Sequence, residues 1–120
     1  MSPADKAVAH ARRAHDAAAL FAALGDATRL QLLIRLSTSG PESIAQMSEK
    51  SAVTRQAITK HLQVLSDAGF VSGERQGREH IWRLQPKRFR EVHAQLDRIS
   101  RQWDDALERL RVFVEDGNPP

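Results

Sequence analysis

Five polar side chains recur on one side of a short helix predicted near the middle of the chain. They carry guanidinium, amide, hydroxyl and ammonium groups: Arg55, Gln56, Thr59, Lys60 and Gln63. Such groups form hydrogen bonds with base edges and with phosphates. Ile58, Leu62 and Leu65 fall on the opposite face, which suits a hydrophobic core. We therefore expect the polar face to contact double-stranded DNA, although a polar outer face is also typical of any amphipathic helix.

The helix that presents these side chains has clear boundaries. Thr54 is a favourable N-cap, and Gly69 provides the left-handed residue that often ends a helix. Phe70 follows and can fold back on Leu65, as in a Schellman motif. These signals predict a helix over 54–68, which we expect to enter the major groove.

A basic hairpin is predicted directly after this helix. Val71 to Arg75 and His80 to Leu84 are strand-like and flank a four-residue turn over 76–79. Arg75 and Arg78 lie near its tip, where cations can contact phosphates or a narrow minor groove. Basic hairpin tips are also common as solvated features, so the DNA interpretation depends on the helix that precedes the hairpin.

Three more helices are predicted upstream. Ser2 and Pro3 start the first, which runs to about Leu24 before Gly25. Asp26 caps the second, whose expected buried residues form one stripe. That stripe consists of Leu30, Leu33, Ile34 and Leu36.

The third helix is short. Ser43 and Gln46 form a capping-box pattern at its start, and it spans roughly 44–49, followed by a turn over 50–53. The order of elements predicts a mainly α fold with a small β-hairpin, a winged helix-turn-helix. We expect one domain over 1–116 and a disordered tail over 117–120.

The last predicted helix, over about 86–115, carries a heptad seam. Its apolar residues alternate in steps of three and four: Phe89, Val92, Leu96, Ile99, Trp103, Ala106, Leu110 and Phe113. This spacing is typical of two helices packed along their length. We expect a homodimer formed by the first helix, about 3–24, and the last; intramolecular packing of the seam on the first helix is the alternative.

Composition narrows the function classes. The chain has 120 residues, a formal net charge of +3, and no cysteine, which excludes disulfides and thiolate metal sites. From Lys50 to Arg90 there are nine basic and three acidic residues, so the positive charge is concentrated around the predicted DNA-facing elements. No apolar run is long enough for a membrane span, and we expect a cytoplasmic protein. The sequence has no glycine-rich phosphate loop and no nucleophile with a placed base, so we do not expect an enzyme.

The five histidines are scattered, but one metal site remains conceivable. His93 with Asp104 or Glu108 could bind a metal across a dimer seam. We expect no metal and no cofactor, because scattered histidines and helix carboxylates usually bind nothing.

Three segments together resemble the ArsR-type (ArsR/SmtB-like) winged-helix repressors of prokaryotes. They are LFAALGDATRLQLLIRL at 20–36, TRQAITKHLQVLSDAGFV at 54–71 and ERQGREHIWRL at 74–84. The resemblance implies a homodimeric transcriptional repressor that binds an operator near its own promoter. It also implies that the polar face of the fourth helix reads DNA and that Arg75 and Arg78 serve the wing.

The chain departs from the family pattern at the metal sites. Metal-sensing members place cysteines on the third helix, where this chain has the run 44–48 without a thiol. Other members place an acid and a histidine after the second wing strand, where this chain has Pro86 and Arg88. We therefore expect a metal-independent repressor that binds an inverted-repeat operator, with an unknown effector. A metal-responsive repressor and a protein-interaction module without DNA binding stay open as alternatives.

Overall fold

The computed structural model describes residues 2–49 and 51–117. Its elements, in chain order, are α1 (Pro3–Leu24), α2 (Ala27–Ser39), β1 (Glu42–Ser43), α3 (Ile44–Glu49), α4 (Arg55–Asp67), β2 (Val71–Gln76), β3 (Glu79–Leu84) and α5 (Pro86–Asp116). The chain divides into two compact units, one through Phe89 and one from Arg90 onward. The first unit holds every element except the greater part of α5, and the second is the remainder of that helix.

The predicted helix starts are confirmed by their caps. Ser2 forms a reciprocal capping box with Asp5, and the Asp26 carboxylate accepts a hydrogen bond of 3.0 Å from the backbone N–H of Arg29. The hydroxyl of Thr54 accepts a hydrogen bond of 3.1 Å from the backbone N–H of Ala57. Each cap satisfies an N–H group that the first turn of a helix leaves without a partner.

The sheet has three antiparallel strands in the order β1-β3-β2, one more than the predicted hairpin. Glu42 of β1 pairs with Trp82, and Ser43 pairs with Ile81. A strand of two residues has no alternation to detect, so its sequence gave no signal.

The wing itself is longer than predicted and its turn is tighter. Gln76 pairs with Glu79, which leaves Gly77 and Arg78 as a two-residue loop in place of the predicted four-residue turn. Gly77 has φ 65°, whereas Arg78 keeps a negative φ. A positive φ at the first loop residue alone matches a type II′ turn, which suits the twist of a hairpin.

The hydrophobic core lies between α2, α3, α4 and the base of the wing. Its members are Leu32, Leu33, Leu36, Met47, Ile58, Leu62, Leu65, Phe70, Val71 and Trp82. The predicted stripe of α2 was partly wrong, because Leu30 and Ile34 are 43% and 62% exposed and Leu32 is buried instead. Helix α2 is apolar on more than one side, so spacing alone does not select its inner face.

Arg35 fixes α2 to the elements that follow it. Its Nε donates to a carboxylate oxygen of Glu42 at 2.8 Å, and its two terminal nitrogens donate to the carbonyl oxygens of Gln46 and Met47 at 2.7 and 3.2 Å. These carbonyls belong to the last turn of α3, where a helix lacks internal partners. One guanidinium therefore holds α3 against α2 and β1.

Helix α5 begins at the predicted residue and ends one residue later than predicted. Phe89, in its first turn, packs edge-to-face on Phe70 with ring centroids 5.2 Å apart. Val92 is buried, but from Ser100 to Gly117 every residue of the chain is exposed. Apart from Gly117, the predicted disordered tail lies outside the described residues, as does Lys50 of the predicted turn.

Within the described part of the chain, no single helix is both long and apolar enough to cross a membrane. Helices α1 and α2 are long and apolar enough for a membrane span only when they are counted together, and the chain bends by 80° between them.

Candidate nucleic-acid interface

The exposed face of α4 holds all five side chains that the sequence predicted to read DNA. Arg55, Gln56, Thr59, Lys60 and Gln63 are exposed, whereas the opposite face of the same helix is fully buried. The split arises because Ile58, Leu62 and Leu65 recur at helical spacing and pack into the core. Because the apolar face of α4 is buried in the core, its polar face points to solvent.

Two of these side chains already form hydrogen bonds within the protein. The Oγ1 of Thr59 donates to the backbone carbonyl of Arg55 at 2.8 Å, so its proton is used within the helix. What Thr59 offers to a partner is an acceptor oxygen and a methyl group. The Nε of Arg55 lies 3.4 Å from the hydroxyl of Ser48 on α3, a long hydrogen bond that leaves its terminal nitrogens for another partner.

Farther along α4, the Nε2 of Gln63 donates to a carboxylate oxygen of Asp67 at 2.9 Å. Asp67 is exposed and lies on the same side of the helix as Gln56 and Lys60. In the sequence Asp67 is one of the three acidic residues between Lys50 and Arg90. The spacing of four residues between an amide and a carboxylate on a helix was the signal for the pair.

A Schellman motif ends α4 as predicted. The N–H of Phe70 donates to the carbonyl of Leu65 at 2.9 Å, and that of Gly69 donates to Ser66 at 3.0 Å. Gly69 has φ 85°, and a Cβ atom placed there would come within 2.7 Å of the guanidinium of Arg88. Glycine is therefore favoured by its backbone angle, and a larger residue would also have to displace the Arg88 side chain.

The wing projects Arg75 and Arg78 into solvent, as the sequence predicted. In the strand register Arg75 lies opposite His80, and Gly73 lies opposite Trp82, so these four residues share one face. The His80 ring covers Gly73 and packs on Trp82 with ring centroids 4.6 Å apart.

The other face of the wing has a different charge. It carries Glu74 and Glu79, and Glu74 forms an ion pair of 3.3 Å with Arg83. The acids are thus separated from Arg75 and His80 by the pleat of the sheet. The sequence predicts cations at the tip of the wing. It does not predict which face of the wing each side chain occupies, because that depends on the strand register, which is set by the length of the loop.

A contact between α2 and α4 involves Asp26 and His61. The Nδ1 of His61 lies 3.9 Å from the Asp26 carboxylate. The pKa of Asp26 is lowered from its ordinary value, first by the hydrogen bond from the backbone N–H of Arg29 and to a lesser degree by His61. The Asp26 carboxylate thus caps α2 and also lies close to the middle of α4.

The conceivable metal ligands are engaged elsewhere or far apart. His93 lies 3.4 Å from Asp97, and Glu108 pairs with Arg111, which lowers the pKa of Glu108 through hydrogen bonding. Along one helix, His93 and Asp104 are separated by about 16 Å at the usual rise per residue. Among residues 2–49 and 51–117, no three His, Cys, Asp or Glu side chains come together as a metal site would require.

Comparisons with known proteins identify the family. No protein-family model matches the chain. It is 39% identical over 69 residues to an uncharacterized HTH-type transcriptional regulator, YuzN of Bacillus subtilis, an alignment that covers 52% of this chain and 75% of the relative. It is 32% identical over 93 residues to the HTH-type transcriptional regulator Rv2034 of Mycobacterium tuberculosis, with 78% and 83% covered.

A further relative is the HTH-type transcriptional repressor SmtB of Mycobacterium tuberculosis, which is 31% identical over 88 residues, 73% of this chain and 63% of the relative. Among solved structures, an ArsR-like transcriptional regulator from Rhodococcus sp. RHA1 superposes with a TM-score of 0.71 at 33% identity, with 81% and 91% of the chains covered.

A homodimeric winged helix-turn-helix DNA-binding domain from Mycobacterium bovis, described as a possible ArsR-family regulator, gives a TM-score of 0.60 at 20% identity, with 85% and 89% covered, and shows likeness of fold alone. The exposed polar face of α4, the wing and these relatives lead to one conclusion. The chain belongs to the ArsR-type (ArsR/SmtB-like) family of winged helix-turn-helix transcriptional regulators, a family of DNA-binding proteins that are not enzymes.

Proposed function

We propose that the protein is a homodimeric transcriptional repressor that binds an inverted-repeat operator, with α4 in the major groove and the wing on the backbone or in the minor groove. The observation that carries the proposal is the polar face of α4. It is held outward by a buried opposite face, and its N-terminal turn projects side chains suited to base edges. We expect this activity in the cytoplasm, where operator DNA is accessible.

The individual side chains fit different parts of a duplex. Arg55 suits guanine and Gln56 suits adenine, because each offers paired hydrogen bonds to the matching base edge. Lys60 suits phosphate, as do Arg75 and Arg78 at the wing. Thr59 and Gln63 complete the reading face, and Thr59 presents a methyl group that can contact thymine.

The homodimer is supported by the apolar face of α5. Trp103 is 68% exposed and Leu110 is 50% exposed, which is unfavourable for large side chains that continue a heptad seam. A second copy would cover them, and the proposed interface along α5 consists of Leu96, Ile99, Trp103, Leu110 and Phe113. Phe89 and Val92, which the heptad pattern also assigned to the interface, are already packed within the single chain, Phe89 on Phe70. We expect α1 to contribute the rest.

A twofold dimer places two copies of α4 about one DNA turn apart, roughly 34 Å. The domain from Mycobacterium bovis with this fold is homodimeric, which agrees with a dimer here. The repressor role is supported by the related SmtB of Mycobacterium tuberculosis, which is a transcriptional repressor.

Selection of preferred duplexes from a random pool tests the proposed function. We expect an enriched inverted repeat with half-sites one helical turn apart from centre to centre. A matched control is the variant Arg98→Ala/Arg101→Ala, which removes two exposed cations from α5 on the side away from the seam and should enrich the same repeat. Enrichment of no sequence by the folded protein would contradict DNA reading and would favour a protein-interaction module.

A further inference from the structure

A carboxylate lies on the face of α4 that we assign to DNA. Gln56, Lys60, Gln63 and Asp67 follow one another at spacings of four, three and four residues, so they form one line along the helix. All four are exposed. A negative charge facing phosphates weakens binding to any DNA sequence. Asp67 therefore opposes general affinity, and its contact with Gln63 suggests another role.

The hydrogen bond between Gln63 and Asp67 fixes the orientation of the Gln63 side-chain amide. An ionised carboxylate has no proton to donate, so only the amide nitrogen of Gln63 can bond to it. The Nε2–Oδ1 distance of 2.9 Å agrees with this chemistry. Because the oxygen and the nitrogen leave Cδ in different directions, holding Nε2 toward Asp67 turns Oε1 away from the end of the helix. Gln63 alone could flip and present either atom.

The direction of an amide matters in the major groove. Adenine and cytosine present an amino donor there, whereas guanine and thymine present a keto acceptor. An Oε1 that faces the groove accepts from an amino group and repels a keto oxygen. The second N–H of Nε2 lies beside Oε1 and is free to donate to N7 of adenine, which completes a paired contact.

We propose that Asp67 is a positioning residue that holds the Gln63 amide with its oxygen toward the DNA, so that the operator position facing Gln63 is restricted to an amino-bearing base, adenine before cytosine. The proposal rests on the DNA-reading role of α4 given above. It assigns to an acidic side chain a part in base selection that it performs without touching a base.

Random-pool selection with a set of variants tests this role. Wild type should enrich adenine, or cytosine less strongly, at one position of each half-site. Gln63→Ala should lose the preference there and identify the position. Asp67→Ala should keep the rest of the motif. At the Gln63-dependent position its preference for amino over keto bases should fall roughly threefold or more, which is the scale of one oriented hydrogen bond. Alanine is tolerated in the last turn of a helix, so this variant should remain folded.

Two further variants separate orientation from charge. Asp67→Glu keeps an acceptor-only carboxylate and should restore the preference, although it alters side-chain length. In the background of Gln63→Ala, Asp67→Ala should still raise affinity for all duplexes but should change no base preference. That double variant isolates the electrostatic effect of removing one acid.

The outcomes distinguish this inference from the proposed function. If wild type enriches a motif but Asp67→Ala leaves the Gln63-dependent position unchanged, the positioning role is wrong and DNA reading stands. The same conclusion follows if the Gln63-dependent position of wild type is guanine or thymine. If folded wild type enriches no motif, both proposals fail.

Discussion

Asp26 and Arg29 join the first two helices by reciprocal capping. The Asp26 carboxylate accepts the backbone N–H of Arg29 at the start of α2, and the Arg29 guanidinium donates to the carbonyls of Ala23 and Ala22 at 2.6 and 3.1 Å at the end of α1. Both helix ends would otherwise have unsatisfied backbone groups. The tight connection through Gly25 thus depends on two side chains three residues apart.

Arg29→Ala should lower the free energy of unfolding by about 1–2 kcal/mol, because two carbonyls of α1 lose charged donors. Urea unfolding followed by circular dichroism measures the change. The matched control is Gln31→Ala on the same helix, which removes an exposed side chain and should change stability by less than about 0.5 kcal/mol. Equal effects of the two substitutions would show that the hydrogen bonds of the Arg29 guanidinium contribute nothing to stability.

Asp26→Asn should change the pH dependence of stability. The pKa of Asp26 is lowered in the folded protein, chiefly by the Arg29 backbone N–H, so its ionised form stabilises the fold above the ordinary pKa of about 3.9. This contribution is lost as the pH falls through the lowered pKa of the folded state. Asparagine still caps a helix without the charge.

We therefore expect wild type to be more stable than Asp26→Asn at pH 6, and the difference to shrink as the pH falls below about 4. Urea titrations at several pH values measure it. A difference that stays constant over this range would contradict a stabilising carboxylate.

Gly69→Ala should lower the free energy of unfolding by about 1–2 kcal/mol, because Gly69 has φ 85°, in the left-handed region. Gly40→Ala should cost at least as much, because Gly40 has φ 79° and ψ −169°, a conformation that is essentially restricted to glycine. An added methyl group at Gly69 also meets the Arg88 guanidinium, the mobile end of a long side chain, whereas the surroundings of Gly40 are open. Thermal unfolding of the two variants gives the comparison. A clearly larger loss for Gly69→Ala would contradict this ranking and would show that the contact with Arg88 outweighs the backbone strain.

The double variant Trp103→Glu/Leu110→Glu should weaken self-association by at least about thirtyfold, because two large apolar residues of the proposed interface become charged. Sedimentation velocity measures the association, and circular dichroism confirms that the helices persist. Arg101→Ala, on the outer side of α5, is the control and should leave association unchanged. A double variant that associates as wild type does would exclude the α5 seam as the interface.

Local rules predicted most of the fold. The caps at Ser2, Asp26 and Thr54 depend on a few adjacent residues, and each appears in the structure where the sequence placed it. The glycine stop after α4 is equally local. The exposed face of α4 follows from the period of its buried residues, so the sequence alone predicts the candidate reading residues.

Features that depend on distant partners were missed. Arg35 meets Glu42 and the end of α3 only after the chain has turned, and no spacing rule indicates that contact. Strand β1 forms because β3 offers it an edge. The outward position of Ile34 depends on which side of α2 the core occupies. These are tertiary outcomes that one-dimensional periodicity does not contain.

The most direct test of the account measures operator binding by a protein whose reading face has been removed. Fluorescence anisotropy would compare Arg55→Ala/Gln56→Ala/Lys60→Ala with the charge-matched Arg98→Ala/Arg101→Ala on the enriched duplex and on a scrambled one. We expect the first variant to bind both duplexes alike and weakly, and the second to keep the preference and the steep salt dependence of wild type. Undiminished operator preference in the folded triple variant would contradict the assignment of α4 as the DNA-reading helix.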